Sequence, residues 1–198
     1  MMLAYSFWLG NMENQHLEIL KNGGIGVMPT DTIYGVVGQA LNPQTVERLY
    51  AVRRRRPDKP FIVLIGSIDD LKRFGVQTTE AENKILKTYW PGQVSIILPC
   101  PEPKLDYLHR GTNSIAFRLP NKPELLAVLH QTGPLAAPSA NPEGLPSAKS
   151  IIEAREYFHD LVDFYEDAGP LESEASALIR LENGEVKVLR PGGGISQS

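Results

Sequence analysis

Short apolar segments typical of β-strands alternate along nearly the whole chain with segments whose apolar residues recur at helical spacing. The strand-type segments cover residues 24–30, 33–41, 61–65, 94–99, 114–120 and 135–141, followed by a hairpin within 176–193. The helix-type segments cover residues 13–22, 42–54, 69–74, 80–90, 124–133 and 150–158. This alternation predicts an α/β fold built on a mixed sheet. No repeat or low-complexity linker interrupts it, so we expect one domain over residues 1–198.

Local signals support several of these segments. Asn42 is a plausible N-cap and Pro43 a plausible first residue of the second helix. One face of that helix carries Val46, Leu49, Tyr50 and Arg53. Asn183 and Gly184 suit the tight turn of the hairpin that ends the chain.

Composition limits the setting in which the chain works. Cys100 is the single cysteine, so no internal disulfide can form, which fits a reducing, cytoplasmic location. The first residues lack the features of a signal peptide, and no apolar run approaches membrane-spanning length, so we expect no membrane partner. The net charge of -3 predicts no general affinity for nucleic acid. Any binding of anions must therefore be local.

The densest positive charge lies in "RRRRPDKP", residues 53–60. Guanidinium groups offer planar, bidentate donors that match phosphate. The alternative is a solvated helix end, where cations complement the helix dipole. Successive residues of a helix point in different directions, so only Arg53 and one or two of its neighbours can address a single ligand.

Three further loops carry small hydroxyl, amide or basic side chains at strand ends. "PTDTIYG", residues 29–35, is either a simple turn or part of a binding site. "PSANPEG", residues 138–144, would point Ser139 and Asn141 the same way if it stays extended, and is otherwise a proline-rich connector. "VLRPGGG", residues 188–194, ends a strand with Arg190 before a glycine-rich tail.

Several common reaction classes lack their residues. The histidines have no metal-ligand spacing with each other or with cysteine, so we predict no dedicated protein metal site; they are His16, His109, His130 and His159. "GGIG" precedes a strand and has the wrong spacing for a dinucleotide fingerprint. Ser139 lacks the flanking glycines of a hydrolase nucleophile. Groups that bind anions are what remains.

Taken together, the loops resemble one family. "MPTDTIYG", "RRRRPDKPFIVLI", "WPGQVSIILP", "IAFRLP", "APSANPEG" and "VLRPGG" occur in the order typical of the YrdC-like threonylcarbamoyl-AMP synthases, over about residues 20–194. The resemblance implies a YrdC-like twisted mixed β-sheet with helices packed on it and a large, open anion-binding cavity. It also implies the minimal single-domain form, without the additional C-terminal domain of the larger members.

The resemblance implies a reaction as well. The family condenses L-threonine, bicarbonate and ATP to threonylcarbamoyl-AMP and pyrophosphate, with Mg²⁺ carried on the ATP phosphates. A threonylcarbamoyl transferase complex then modifies tRNA with the product. Positioning and charge neutralisation suffice for this chemistry, and no protein nucleophile is needed.

Site residues follow from the matched motifs. Counting back from Lys59-Pro60, the family's Lys-x-Arg motif falls on Arg53 and Arg55, and its Ser-x-Asn motif on Ser139 and Asn141. These four are the expected catalytic residues. With Pro138 and Arg190 they are also the expected ATP-binding residues. The expected threonine-binding residues are Thr32, Tyr34, Arg118, Ser139 and Ser176, with Arg118 taking the carboxylate.

The sequence departs from the family pattern at three sites. Arg53 stands where the family has lysine, and the two side chains are not interchangeable at a tight site. Ser176-Ala177 replaces a Ser-Thr pair, and Pro142-Glu143 replaces small polar residues. Two alternatives to a synthase therefore stay open. One is a YciO-like paralogue that binds nucleotide with weak or no synthase activity, and the other is an RNA-binding module that uses the arginine run on tRNA.

Overall fold

A computed structural model describes residues 14–56, 58–182 and 185–195. Its strands are β1 Ile25–Pro29, β2 Tyr34–Gln39, β3 Ile62–Leu64, β4 Val94–Pro99, β5 Ser114–Arg118, β6 Leu135–Ala136, β7 Phe164–Tyr165, β8 Ala177–Glu182 and β9 Glu185–Arg190. Its α-helices are α1 Asn14–Lys21, α2 Pro43–Arg53, α3 Glu80–Tyr89, α4 Asp106–His109, α5 Pro123–Thr132 and α6 Ile151–Phe158. Short 3₁₀ helices cover Ile68–Phe74, Pro103–Leu105 and His159–Leu161.

The described strands form one mixed sheet in the order β7-β1-β2-β6-β3-β5-β4-β8-β9. β1 pairs with β2, β4 with β5 and β8 with β9 in antiparallel fashion, whereas β3–β5, β4–β8 and β1–β7 are parallel. The predicted α/β fold with a mixed sheet is confirmed. No helix among the described residues is long and apolar enough to cross a membrane.

The start of α2 behaves as its sequence predicts. The Asn42 side chain accepts a hydrogen bond from Thr45 N at 3.2 Å, and Pro43 occupies the first turn. The predicted inner face is buried, and it comprises Val46, Leu49, Tyr50 and Arg53. An arginine in this set must find polar partners inside the protein.

Some boundaries differ from the prediction. The segment at residues 69–74 is a 3₁₀ helix, in which Asp70 Oδ2 accepts from the backbone nitrogens of Gly66 and Ser67. The strand expected over residues 135–141 is β6, which has two residues, because Pro138 has no backbone N–H to continue the ladder. Residue 13 of the first predicted helix and the Asn183-Gly184 turn lie outside the described residues.

Alternate residues of β5 face the hydrophobic core on one side of the sheet and a cavity on the other. Ile115 and Phe117 belong to the larger hydrophobic cluster. Ser114, Ala116 and Arg118 alternate with them and line a cavity instead. A second cluster packs α1 and α5 against the sheet, with Leu20, Leu64 and Leu129 among its members. The period-2 pattern of β5 thus divides core from site.

Candidate functional site

The cavity has a volume of about 440 Å³ and is lined by strand ends and the loops that follow them. Nine of the ten residues predicted from the sequence line it: Thr32, Tyr34, Arg53, Arg55, Arg118, Pro138, Ser139, Ser176 and Arg190. The tenth, Asn141, lies behind Arg53 and contacts it. Residues from segments far apart in the sequence therefore meet at one place. The roles assigned to them remain predictions.

Arg53 is the centre of a buried hydrogen-bond cluster. Its Nε donates to Asn141 O at 2.9 Å, and its Nη2 donates to Ser139 Oγ and Asn141 Oδ1, each at 3.1 Å. Only 2% of the residue is exposed, and its Nη1 is buried without a partner among the described residues. Burial, with a smaller effect from Arg55, lowers the pKa of Arg53 to about 10, so the side chain is charged at neutral pH.

The arginine run divides between cavity and solvent. Arg55 lines the cavity, donates to Lys59 O at 3.0 Å and stands 5.2 Å from the centroid of the Phe61 ring. Burial lowers the pKa of Arg55. Arg54 is exposed and ends α2 in the left-handed conformation, with φ at 49°. Arg56 is exposed and pairs with Asp58. Two of the four arginines thus reach the site.

A clamp joins the arginine loop to the loop after Asn141. Lys59 Nζ lies 2.7 Å from Glu143 Oε1, and Arg56 N donates to Glu143 Oε2 at 2.6 Å. The Lys59 and Arg56 bonds lower the pKa of Glu143 to about 2. Sequence reasoning noted Glu143 as a departure from the family but gave it no role. Lys59 itself also lines the cavity.

The clamp predicts a pH dependence that Glu143→Gln removes. A carboxyl whose pKa is lower in the folded state stabilises the fold above its unfolded pKa of about 4.3, and that stability is lost as pH falls toward the folded pKa. We expect Glu143→Gln to have a lower free energy of unfolding than the native chain at pH 7. The difference between the two free energies should be smaller at pH 3. Urea unfolding at both pH values measures this, with the 89%-exposed Glu80 changed to Gln as the control. The same difference in free energy of unfolding at both pH values would contradict a stabilising role for the ionised Glu143 carboxylate.

Arg118 lies at the cavity wall as a buried cation paired with Asp31. Arg118 Nη2 donates to Asp31 Oδ1 at 2.9 Å, and the two side chains are 5% and 3% exposed. A longer contact of 3.4 Å joins Arg118 Nη2 to Thr32 Oγ1. Burial lowers the pKa of Arg118, while Asp31 opposes that shift. Asp31 was missed from the sequence, although a buried arginine requires a counter-charge and "PTDTIYG" holds an acid beside Thr32.

Arg190 and Ser176 complete this side of the cavity. Arg190 Nη2 donates to Ser176 O at 2.9 Å, and Ser176 Oγ lies 2.9 Å from Ser95 Oγ. Desolvation and the neighbouring charge of Arg118 lower the pKa of Arg190. An anion bound between these two arginines would favour their charged forms.

Tyr34 is one of the cavity-lining residues, and its buried hydroxyl is hydrogen-bonded to the loop at residues 168 and 169. The hydroxyl donates to Gly169 O at 2.8 Å and accepts from Ala168 N at 2.9 Å. Burial raises the pKa of Tyr34 to about 12, so the phenol stays neutral. The hydroxyl therefore anchors the loop that leads to Ala175 and Ser176, both of which line the cavity. A part for Tyr34 in threonine binding stays a prediction.

Removing this hydroxyl tests the anchor. Tyr34→Phe leaves Gly169 O and Ala168 N without their partner, so we expect the free energy of unfolding to fall by about 1–3 kcal/mol. Tyr157→Phe is the matched control, because the Tyr157 hydroxyl makes no hydrogen bond within the described part of the chain. Chemical denaturation measures both variants. Equal stabilities would show that the anchor contributes nothing.

Further polar residues that the sequence did not single out also line the cavity: Thr30, Asp58, Thr112, Ser114, Ser147 and Arg180. Hydroxyls in loops carry no distinctive pattern, and their position depends on contacts across the sheet. No group of three or more potential metal ligands occurs among the described residues.

The structure is thus an α/β domain with a cavity walled by arginines and hydroxyls. The chain is a member of the Sua5/YciO/YrdC family, whose model, described as "Telomere recombination", matches residues 18–192.

Curated relatives cover most of this chain. One from Mycobacterium tuberculosis is 33% identical over 175 residues, which are 87% of this chain and 80% of the relative. The threonylcarbamoyl-AMP synthase of Bacillus subtilis is 32% identical and matches 90% of this chain but 53% of its own length. The chain thus spans about half the length of that relative.

Solved structures show the same fold. Pyrococcus abyssi Sua5, solved in complex with L-threonine, superposes with a TM-score of 0.82 at 29% identity, covering 90% of this chain and 53% of that one. Escherichia coli YciO superposes with a TM-score of 0.80 at 24% identity, covering 92% and 89%. The predicted membership in the YrdC-like family is therefore confirmed.

Proposed function

We propose that this chain is a threonylcarbamoyl-AMP synthase, which condenses L-threonine, bicarbonate and ATP to threonylcarbamoyl-AMP and pyrophosphate for the modification of tRNA. The observation that carries the proposal is the meeting of two pairs of arginines at one cavity, Arg53 with Arg55 and Arg118 with Arg190. The reaction brings together a nucleoside triphosphate, bicarbonate and an amino acid with its carboxylate, all of which present negatively charged groups. Relatives that share at least 30% identity carry the name of this activity.

The nucleotide belongs at the first pair. Arg53 and Arg55 would neutralise the phosphates, and Ser139, whose Oγ already accepts from Arg53, would lie beside them. Asn141 holds Arg53 through two hydrogen bonds, so its contribution is to orient a ligand of the phosphates. Arginine's fork supplies these contacts and leaves Nη1 unpaired for the ligand.

Threonine belongs at the second pair. Arg118 would take the carboxylate, and Ser176 and Tyr34 are among the other residues that line the cavity. Arg190 lines the same cavity, and burial and the charge of Arg118 lower the pKa of Arg190. Binding at both pairs would hold the reactants close and in a fixed orientation, which removes much of the entropic barrier.

The reaction then needs no protein nucleophile. The neutral amine of threonine attacks the carbon of carbon dioxide and loses a proton as the carbamate forms; when bicarbonate itself is attacked, the C–O bond breaks and water leaves. A carbamate oxygen attacks the α-phosphorus of ATP, and pyrophosphate leaves with the electrons of the broken P–O bond. Mg²⁺ would travel on the ATP phosphates, and Asp58 is the acidic residue among the described residues that line the cavity.

The alternatives receive less support. The likeness to YciO is below 25% identity and shows the fold alone. The arginine run is split between the cavity and solvent, so it does not present four guanidinium groups to one RNA backbone. We propose that the product passes to a tRNA-modifying threonylcarbamoyl transferase complex in the cytoplasm.

Pyrophosphate release tests the proposal. We expect release from the full chain with Mg²⁺-ATP, bicarbonate and L-threonine together, and none when any one is omitted. Saturable ATP binding without release would favour the YciO-like reading. Salt-sensitive tRNA binding without nucleotide binding would favour the RNA-binding reading.

A further inference from the structure

A carboxylate outside the cavity is bonded to the loop that supplies the cations of the proposed phosphate site. Glu143 Oε1 lies 2.7 Å from Lys59 Nζ, and Glu143 Oε2 accepts from Arg56 N at 2.6 Å. The backbone nitrogen of Glu143 donates to Arg53 O at 2.8 Å. Glu143 does not line the cavity itself, but Lys59 and Arg53 both do. Any effect of Glu143 on a ligand must therefore act through these cations or through its charge.

The negative charge of Glu143 acts on three cations that line the cavity. The hydrogen bond from Lys59 is the largest cause that lowers the pKa of Glu143 to about 2, so the carboxylate is ionised at neutral pH. Burial lowers the pKa of Arg53, and the charge of Glu143 opposes that shift. Burial likewise lowers the pKa of Arg55, and Glu143 is among the groups that oppose it. One internal anion thus interacts with Lys59, Arg53 and Arg55 together.

Lys59 is the cation of this set that can most easily change partners. Its side chain is 48% exposed, and an ammonium on a flexible four-carbon stem can turn toward a new anion. The Arg53 guanidinium, in contrast, is held by three hydrogen bonds. Phosphates in the cavity and the Glu143 carboxylate are therefore alternative partners for one ammonium group.

We propose that Glu143 competes with the phosphates of the ligand, and that it weakens the binding of ATP and pyrophosphate by occupying Lys59 and by its own negative charge. The inference rests on the proposed function and adds a residue that limits affinity at the first pair of arginines. A like charge near a binding site lowers its affinity for an anion, and partly buried charges are screened less than exposed ones. Pyrophosphate is the product, so the same competition would speed its release.

A purely structural role for Glu143 predicts the opposite effect. If the clamp only held the arginine loop in place, losing it would loosen the cations and weaken the binding of phosphates. Under the proposal, Glu143→Gln should bind ATP and pyrophosphate about 5- to 10-fold more tightly than the native chain, although its fold is less stable. Its affinity for threonine should not change, because Arg118 belongs to the other pair of arginines.

Calorimetry with ATP, pyrophosphate and threonine as separate ligands measures these affinities. Glu80→Gln is the matched control, since Glu80 also pairs with a lysine but lies on α3 and is 89% exposed. Glu143→Asp keeps the charge, so it should bind ATP more weakly than Glu143→Gln does. If Glu143→Gln does not fold, Glu143→Ser removes the same charge with a small polar residue, as in the family pattern.

The outcomes separate this inference from the proposed function. Tighter binding of both phosphate ligands in a folded variant without the carboxylate, with threonine affinity unchanged, would support the inference. Unchanged or weaker binding of ATP and pyrophosphate in that variant would overturn it and leave the proposed function in place. A native chain that binds neither ATP nor pyrophosphate would instead overturn the proposed function.

Discussion

Replacing Arg118 with glutamine should abolish the use of threonine, lowering kcat/KM for threonine by about 1,000-fold or more. The guanidinium is the buried cation that Asp31 and Thr32 hold at the cavity wall, and glutamine removes its charge. Charged hydrogen bonds to a desolvated carboxylate contribute several kcal/mol, and about 1.4 kcal/mol corresponds to a tenfold change. ATP binding should change little, because Arg53 and Arg55 remain in place.

Stability complicates this variant, since Arg118→Gln leaves Asp31 buried without its counter-charge. Breaking a buried pair in this way costs about 3–5 kcal/mol. The double variant Asp31→Asn with Arg118→Gln removes both charges and should regain most of that loss while still failing to bind threonine. Arg73→Gln, at an exposed position of the 3₁₀ helix Ile68–Phe74, is the control for loss of an arginine. Calorimetry measures the affinity of each variant for threonine. A double variant that binds threonine as tightly as the native chain would contradict the assignment of Arg118 to the carboxylate.

Arg53 carries the second large effect. Arg53→Ala removes three hydrogen bonds to Ser139 and Asn141 and a cation from the proposed phosphate site. We expect kcat/KM for ATP to fall by about 1,000-fold and the free energy of unfolding to fall by about 2–4 kcal/mol, because buried acceptors lose their donors.

Arg53→Lys tests the departure from the family in particular. One ammonium cannot reproduce donation from both Nε and Nη2 in a fixed plane, so we expect about a tenfold loss in kcat/KM for ATP. Arg54→Lys, at the exposed neighbour, should have no effect. Steady-state kinetics measure both. A large gain in Arg53→Lys would mean that the native chain has moved away from synthase activity.

Local patterns predicted the parts of the molecule that depend on neighbouring residues. The alternation of segments gave the mixed α/β sheet, and helical spacing placed Arg53 on the buried face of α2. Helical geometry also implied that the arginines of the run would point in different directions, and only two of the four line the cavity. β7 escaped prediction because two residues are too few to show a period, and its pairing with β1 joins distant segments.

The missed parts of the site are long-range pairs. Glu143 meets Lys59 across 84 positions, and Tyr34 meets Gly169 across 135. No local sequence pattern in these loops predicts which distant residue each will contact. Such contacts form only when the sheet brings the loops together. Asp31 and Arg118 are separated by 87 positions, yet this pair had a usable signal. A strand-end arginine next to core residues needs an acid, and Asp31 is the acid within the "PTDTIYG" loop.

The most direct test of the proposed function is product analysis with ¹³C-labelled bicarbonate. The native chain is incubated with Mg²⁺-ATP, L-threonine and the labelled bicarbonate, and the nucleotide products are identified by mass spectrometry. We expect a species that contains AMP, threonine and one labelled carbon, formed in equal amount with pyrophosphate. AMP or ADP that carries neither threonine nor label, whatever the rate of ATP consumption, would contradict the account.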